Sequence, residues 1–110
     1  AISILNANWR VDRTLPSPLL YPHQWSWDSA FIAIGRAWFD LDRAMTELTT
    51  LFDAQWRNGL LPHIVFNPAV PRGEYWPGPA FWNCSNETTD APVSPATSGI
   101  VQPPIHATAA

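Results

Sequence analysis

One carboxylate stands out in a segment that is otherwise aromatic and apolar. Asp28 follows Trp25 and Trp27 and opens a run of mostly apolar residues that continues through Ile34. A buried charge is costly unless a polar partner uses it. We therefore expect Asp28 to bind a polar ligand at the mouth of an apolar helix, with the neighbouring indole rings supplying an apolar surface.

A carboxylate beside aromatic rings suits a sugar, which carries many hydroxyl groups and one apolar face. A carboxylate accepts hydrogen bonds from adjacent hydroxyls, and charged acceptors form stronger bonds than neutral ones. Trp25 precedes the helix and is free to face a ligand, whereas Trp27 heads an apolar stripe and fits core packing equally well. For Asp28 the alternative is a favourable interaction with the helix dipole, worth about 0.3–1 kcal/mol at an exposed site.

Three further positions in the chain offer candidates for binding the same ligand. Tyr21 lies in a segment stiffened by Pro22, where it either contacts the ligand or seals the end of the helices. Tyr75 and Trp76 precede a Pro-Gly-Pro turn, and at least one of them is expected to face the cavity. Gln102 precedes two prolines at a predicted helix start, where its amide either serves a hydroxyl-rich ligand or caps a helix.

The histidines and the cysteine do not form a metal-binding pattern. His23, His63 and His106 match no metal-ligand spacing, and the single cysteine, Cys84, excludes an internal disulfide and a cysteine-built metal site. We therefore expect no metal and no cofactor. His63 is expected to hydrogen-bond loop backbone, and His106, one helical turn beyond Gln102, to brace that residue.

Hydrophobic periodicity predicts two packed helices in the first half of the chain. The first begins at Ser26 as N-cap and carries two apolar stripes, so most of its surface should be buried. The second covers residues 41–58, with Asp40 as N-cap and Gly59 at its end. It is amphipathic, with Glu47 on the face expected to meet water. The short connection makes the two helices antiparallel, as in a double layer of inner and outer helices.

The remaining segments are predicted to bring two loops together. Residues 1–9 are typical of a helix end, residues 60–98 form a long Pro-rich, aromatic loop, and a third helix begins near Gln102. If the helices that follow these connections are both inner ones, they run parallel and open at the same end. The loops before them, residues 21–27 and 75–102, then meet at one cavity.

Composition excludes several classes of protein. The 110 residues carry a net charge of −3 and no lysine, so no basic patch is available for nucleic acid. The longest strongly apolar run, residues 30–35, is too short to cross a membrane. No signal peptide is visible, and we expect a cytoplasmic location. The chain begins without Met and ends in an uncapped helix-forming stretch, so we expect it to be part of a larger domain.

Three blocks of this sequence resemble glycoside hydrolase family 63 and its relatives, in particular the glucosylglycerate and mannosylglycerate hydrolases. They are residues 20–29 (LYPHQWSWDS), 54–64 (AQWRNGLLPHI) and 97–107 (TSGIVQPPIHA). The resemblance implies an all-α fold in which residues 1–110 are the N-terminal portion of a single (α/α)6 barrel catalytic domain, truncated at its C-terminal end. It also implies hydrolysis, with inversion, of an α-glucosidic or α-mannosidic bond in a small glycoside such as glucosylglycerate.

The resemblance assigns binding rather than catalysis to this segment, because the general acid and base are expected outside these residues. What it transfers is the floor of the subsite for the terminal sugar: Tyr21, Trp25, Trp27, Asp28, Tyr75 and Gln102. The expected partners are a small-molecule sugar substrate and the remainder of the barrel. The alternatives are a trehalase-like or processing α-glucosidase of the same fold, and a non-catalytic carbohydrate-binding protein.

Overall fold

The computed structural model describes all of residues 1–110 and combines helices with short strands. The helices are α1 (Ile2–Asn8), α2 (Ser26–Arg36), α3 (Leu41–Phe52), α4 (Pro79–Trp82), α5 (Cys84–Glu87) and α6 (His106–Ala109). The strands are β1 (Trp9–Arg10), β2 (Arg13–Thr14), β3 (Gln24–Trp25) and β4 (Ile64–Val65). The strands pair antiparallel as β1–β2 and β3–β4. The expected all-α class is therefore corrected to a fold of helices with two small two-stranded sheets.

Helices α2 and α3 pack side by side and run antiparallel. Ser29 in the first turn of α2 donates a hydrogen bond to Glu47 in the second half of α3. At the other end, the guanidinium of Arg36 lies 4.0 Å from the carboxylate of Asp40, the residue before α3. As predicted, Asp40 caps α3, since its side chain accepts a hydrogen bond from the N–H of Arg43 at 3.2 Å.

The surface of α2 that faces inward is made of small and polar residues. Its buried positions are Ser26, Ser29, Ala30, Ala33 and Arg36. By contrast, Trp27 and Phe31 are exposed, as is Trp38 just beyond the helix. The prediction that most of this helix is buried is therefore wrong within this chain. Small side chains let α3 approach closely, and the large apolar ones point away from it.

The buried face of α3 also differs from the predicted one. Glu47, expected to meet water, is fully buried, whereas Leu41 and Met45 are exposed. The inner face follows the helical spacing of Ala44, Glu47 and Leu51. A carboxylate is tolerated there because hydrogen-bond donors surround it, which periodicity alone does not reveal.

Helix α3 ends at Phe52, well before Gly59, because the next residues are held by the long loop. The buried ring of Trp56 donates a hydrogen bond from Nε1 to Thr97 Oγ1 at 2.9 Å. The backbone N–H of Trp56 donates to the carbonyl of Leu60. The bond to Thr97, 41 residues away, is a tertiary contact that overrides the local helical propensity. Gly59, with φ at +93°, provides the left-handed turn that follows.

Helix α6 begins at His106, later than the predicted start near Gln102. The delay follows from Pro103 and Pro104, because a residue that precedes proline is disfavoured in the helical conformation. The first residues of α6 and α2 are nevertheless neighbours, since His106 Nε2 lies 2.9 Å from Ser26 Oγ. The starts of these two helices therefore lie together, as the sequence predicts.

The long loop after α3 is attached to the segment that precedes α2. Strand β4 pairs with β3, and Val65 also bridges to Thr97, so three distant segments meet beside the start of α2. A small apolar core of Leu51, Ala54 and Val65 links this junction to the end of α3. None of the helices has the length and hydropathy needed to cross a membrane.

Candidate functional site

A cavity of about 320 Å³ opens at the start of α2. Its lining residues are Pro16, Tyr21, Trp25, Asp28 and Gln102. Four of these belong to the six predicted ligand-binding residues. Tyr21, Trp25 and Gln102 come from the two loops that the sequence predicts to meet, and Asp28 lies in the first turn of α2. The volume lies at the small end of the range for small-molecule sites, about 300–1,000 Å³.

The pairing of β3 with β4 determines which side chains reach the cavity. Successive strand residues point to opposite faces, so Gln24 is buried against α3 whereas Trp25 lines the cavity. The N–H of Ser26 then donates to the carbonyl of His63 at 3.0 Å, which fixes the first residue of α2 to the long loop. Ser26 is the first helical residue rather than the predicted N-cap.

Aromatic rings packed edge to face hold one wall of the cavity. The ring centroid of Trp25 lies 5.5 Å from that of Tyr21 and 5.4 Å from that of His63. Such packing restrains the indole while leaving an apolar surface for a ligand. His63 is itself held by a hydrogen bond between its Nδ1 and the Ser98 hydroxyl, a side-chain partner instead of the predicted loop backbone.

Asp28 is the only charged residue that lines the cavity. Burial raises the pKa of its carboxyl above the ordinary value, although its own backbone N–H partly opposes this effect. The ion pairs of the chain use Asp12 and Asp40 instead. An ionised carboxylate is a hydrogen-bond acceptor only. Without a cationic neighbour, Asp28 is available to accept bonds from ligand hydroxyls.

Gln102 both lines the cavity and caps α2. Its Oε1 accepts a hydrogen bond from the N–H of Trp27 at 2.9 Å, satisfying a backbone donor in the first helical turn. Its NH₂ group has no hydrogen-bond partner within this chain and can donate to a ligand. The prediction that His106 braces Gln102 is wrong, because its Nε2 contacts the hydroxyl and carbonyl oxygens of Ser26 instead.

Trp27 and Tyr75 do not line this cavity. The Trp27 ring packs edge-on against Phe31 at 5.4 Å on the exposed side of α2. Tyr75 packs against His23, with ring centroids 4.3 Å apart, and lines a second cavity of about 520 Å³. Burial, and then the Tyr21 phenol, raise the pKa of Tyr75. The ligand-binding roles of Trp27 and Tyr75 remain predictions.

His23 is buried, and its ring stays neutral at physiological pH. Its Nδ1 accepts a hydrogen bond from the N–H of Asn67 at 3.1 Å, and its ring packs against Phe66 and Tyr75. Burial lowers the pKa of His23 to about 4. No group of three or more His, Cys, Asp or Glu side chains is arranged to hold a metal ion.

We expect His23 to make stability depend on pH. The pKa of His23 is about 4 in the folded chain against an ordinary 6.5, so the unfolded state binds the proton first as the pH falls. The stabilisation is complete above pH 6.5 and is lost toward pH 4. At about 1.36 kcal/mol per pKa unit, the unfolding free energy of the full-length protein should fall by about 3 kcal/mol across this window.

Denaturant unfolding of His23→Asn at several pH values provides the comparison. The amide oxygen retains an acceptor for Asn67 but does not titrate, so the variant should lose most of this acid dependence. Identical pH profiles for the variant and the unaltered protein would show that His23 protonates freely in the fold.

Sequence reasoning missed Pro16 and Glu47. Pro16 lines the cavity from an extended connection, and its side chain carries no chemistry that marks it as a site residue. Glu47 is buried against Gln24 and Ser29, which lie far from it in the sequence. That contact is tertiary, so the helical period of α3 predicts the opposite orientation.

The comparisons with known proteins identify the family. Residues 21–110 match the model of the mannosylglycerate hydrolase MGH1-like glycoside hydrolase domain. The chain belongs to this family. It is 59% identical to a mannosylglycerate hydrolase of Rubrobacter radiotolerans over 96% of its length, and 51% identical to a glucosylglycerate hydrolase of Mycolicibacterium hassiacum over 99%. It spans 23% and 24% of the length of these two relatives, about a quarter.

Solved structures of a family 63 glycoside hydrolase agree with the fold. The glycoside hydrolase family 63 mannosylglycerate hydrolase from Thermus thermophilus, in complex with Tris and D-glycerate, is 46% identical and superposes with a TM-score of 0.81. The same enzyme in complex with glucose is 47% identical and gives a TM-score of 0.72. Each comparison covers 98% of this chain and 24% of the solved one.

Proposed function

We propose that the full-length protein hydrolyses an α-glucosidic or α-mannosidic bond in a small glycoside, such as glucosylglycerate or mannosylglycerate, with inversion. In this proposal, residues 1–110 are the N-terminal portion of one (α/α)6 barrel. They bind the sugar whose bond is broken, while the general acid and base lie elsewhere in the full-length chain.

The observation that carries this proposal is the cavity at the start of α2. It combines one carboxylate without a cationic partner, one amide and two aromatic rings, contributed by Asp28, Gln102, Trp25 and Tyr21. Carboxylate and amide groups match the hydroxyls of a pyranose, and a restrained indole matches its apolar face. Membership in the MGH1-like family supports a glycoside as the ligand.

The apolar surface of the helical pair supports the proposed barrel. Trp38 is 89% exposed and Met45 60% exposed, so large apolar side chains of the α2–α3 unit have no partner within this chain. Exposed apolar patches mark surfaces that pack against something else. Further helices of one barrel would cover them.

In an inverting enzyme, one carboxylic acid protonates the leaving oxygen while a carboxylate activates water, the two lying about 6.5–9.5 Å apart. Asp28 would be a third carboxylate, which holds sugar hydroxyls and takes no part in proton transfer. Binding energy at that point orients the anomeric carbon for attack.

A direct assay tests the proposal. The full-length protein would be incubated with glucosylglycerate, mannosylglycerate and trehalose, and released glucose or mannose measured with a coupled enzyme. Proton NMR during the first turnovers would identify the anomer, and the proposal requires the β-anomer. Hydrolysis of trehalose alone would favour a trehalase-like enzyme, and saturable sugar binding without turnover would favour a non-catalytic protein.

A further inference from the structure

A buried carboxylate in α3 gathers hydrogen bonds from three separate segments. Glu47 is fully buried. Its Oε2 accepts from the N–H of Thr14 at 2.6 Å, and its Oε1 accepts from the Ser29 hydroxyl at 2.5 Å and from Gln24 Nε2 at 3.3 Å. Gln24 Nε2 also donates to the backbone carbonyl of Glu47 at 3.0 Å. Strand β2, strand β3 and helix α2 are thereby fixed to one side chain.

The partners of Glu47 are sequence neighbours of the cavity residues. Gln24 immediately precedes Trp25, and Ser29 immediately follows Asp28. Gln24 points inward because strand residues alternate, which directs Trp25 to the cavity. On α2, Ser29 is rotated about 100° from Asp28, so a bond on the inner side sets the rotation of the helix about its axis. The two bonds therefore bracket the segment that carries the indole and the carboxylate.

We propose that Glu47 is a positioning residue for the sugar site, acting through Trp25 and Asp28. This inference rests on the proposed function and adds a residue that does not line the cavity. An apolar side chain of similar size would fill the space but would leave the Thr14 N–H and the Ser29 hydroxyl without their acceptor. It would also allow α2 to rotate about its axis. Directional hydrogen bonds prevent that rotation.

The effects of burial and of hydrogen bonding on the Glu47 carboxyl fit a residue whose role is to accept hydrogen bonds. Burial raises the pKa of Glu47, and the bonds from Ser29, Thr14 and Gln24 oppose that rise. The guanidinium of Arg36 is the cationic group whose charge interacts with Glu47. Keeping a carboxylate in this place costs desolvation energy that packing alone does not require.

The test compares Glu47→Gln with Asp42→Asn in the full-length protein, at a temperature well below the unfolding transitions. Asp42 lies on the same helix but is exposed, so its variant controls for charge removal from α3. The glutamine NH₂ group must face a donor, so Glu47→Gln should lower kcat/KM by about 100-fold, the effect of a displacement near 1 Å. Asp42→Asn should match the unaltered protein.

Two readouts separate positioning from a merely structural role. If Glu47 acts through Asp28, the double variant Glu47→Gln/Asp28→Asn should lose much less than the product of the single losses. A crystal structure of Glu47→Gln should show Trp25 and Asp28 displaced. Multiplicative losses, or unmoved side chains at these two positions, would overturn the proposal.

Ser29→Ala provides the second variant if Glu47→Gln does not fold. It removes the bond from Ser29 to Glu47 and the bond that Ser29 accepts from Gln24. It should lower kcat/KM by about 10-fold, whereas unchanged kinetics would overturn the proposal. If the unaltered protein hydrolyses none of the glycosides, the proposed function fails. The displacement of Trp25 and Asp28 in the variant crystal structure still decides the role of Glu47.

Discussion

Asp28→Asn in the full-length protein is expected to lower kcat/KM by about 100-fold or more without unfolding it. Hydrogen bonds to a charged acceptor are worth about 1.5–3 kcal/mol each, and an asparagine retains only one weaker, neutral acceptor. Losing the charge opposite two sugar hydroxyls therefore removes about 3 kcal/mol of transition-state binding, which corresponds to the stated loss in rate. Steady-state kinetics on the proposed glycosides measure the effect.

Asp53→Asn is the matched control for this substitution. Asp53 is exposed at the end of α3 and forms no side-chain hydrogen bond, so its variant should keep full activity. Thermal unfolding of Asp28→Asn should differ little from that of the unaltered protein. Kinetics close to those of the unaltered protein would remove Asp28 from the site.

The raised pKa of Asp28 adds a pH dependence to the same experiment. Burial favours the protonated form of Asp28 in the folded chain, so protonation of this group at low pH stabilises the fold. The protonated carboxyl has lost its negative charge, and sugar binding is therefore lost over the same pH range. The acid limb of binding should therefore lie above the ordinary aspartate pKa of 3.8. Asp28→Asn should lack that limb.

Trp25→Ala is expected to impair both binding and stability. The indole lines the cavity and packs edge-on against Tyr21 and His63, so truncation removes a stacking surface and opens a void. Large-to-small substitutions of buried aromatic residues cost about 3–5 kcal/mol, and a half-buried ring should give the lower part of that range. Denaturant unfolding and the KM for the glycoside measure the two effects.

Trp25→Phe distinguishes the contribution of the aromatic ring from that of the indole N–H group. Trp25 Nε1 is buried without a hydrogen-bond partner, so phenylalanine loses no bond within this chain and should recover most of the stability and binding. Trp38→Ala serves as the control for a tryptophan distant from the cavity and should leave KM unchanged. A Trp25→Ala variant that is destabilised but binds the sugar normally would make Trp25 a packing residue only.

Local signals in the sequence predict the starts of α2 and α3 better than the end of α3. Asp40 caps α3 as expected, because a capping side chain needs only the next turn of backbone. The end of α3 depends on Trp56 bonding to Thr97, a partner 41 residues away. The late start of α6 was locally predictable, since two consecutive prolines restrict the residues before them.

The difference between local signals and tertiary contacts also decides which features of the site could be predicted. Neighbouring helical residues project about 100° apart, which is why Asp28 lines the cavity while Trp27 lies on the exposed side of α2. The sequence allows Gln102 either to bind the ligand or to cap a helix. In the structure it lines the cavity and also caps α2. The burial of Glu47 could not be predicted from the sequence, because it depends on donors from β2, β3 and α2 that only the folded chain brings together.

The central claim is that the cavity at the start of α2 receives the sugar whose bond is broken. A crystal structure of the full-length protein with glucose or mannose tests it most directly. The account predicts a pyranose with hydroxyl oxygens within about 3.2 Å of the Asp28 carboxylate and its apolar face against Trp25. A sugar bound away from these residues, or an Asp28 covered by the rest of the chain, would contradict it.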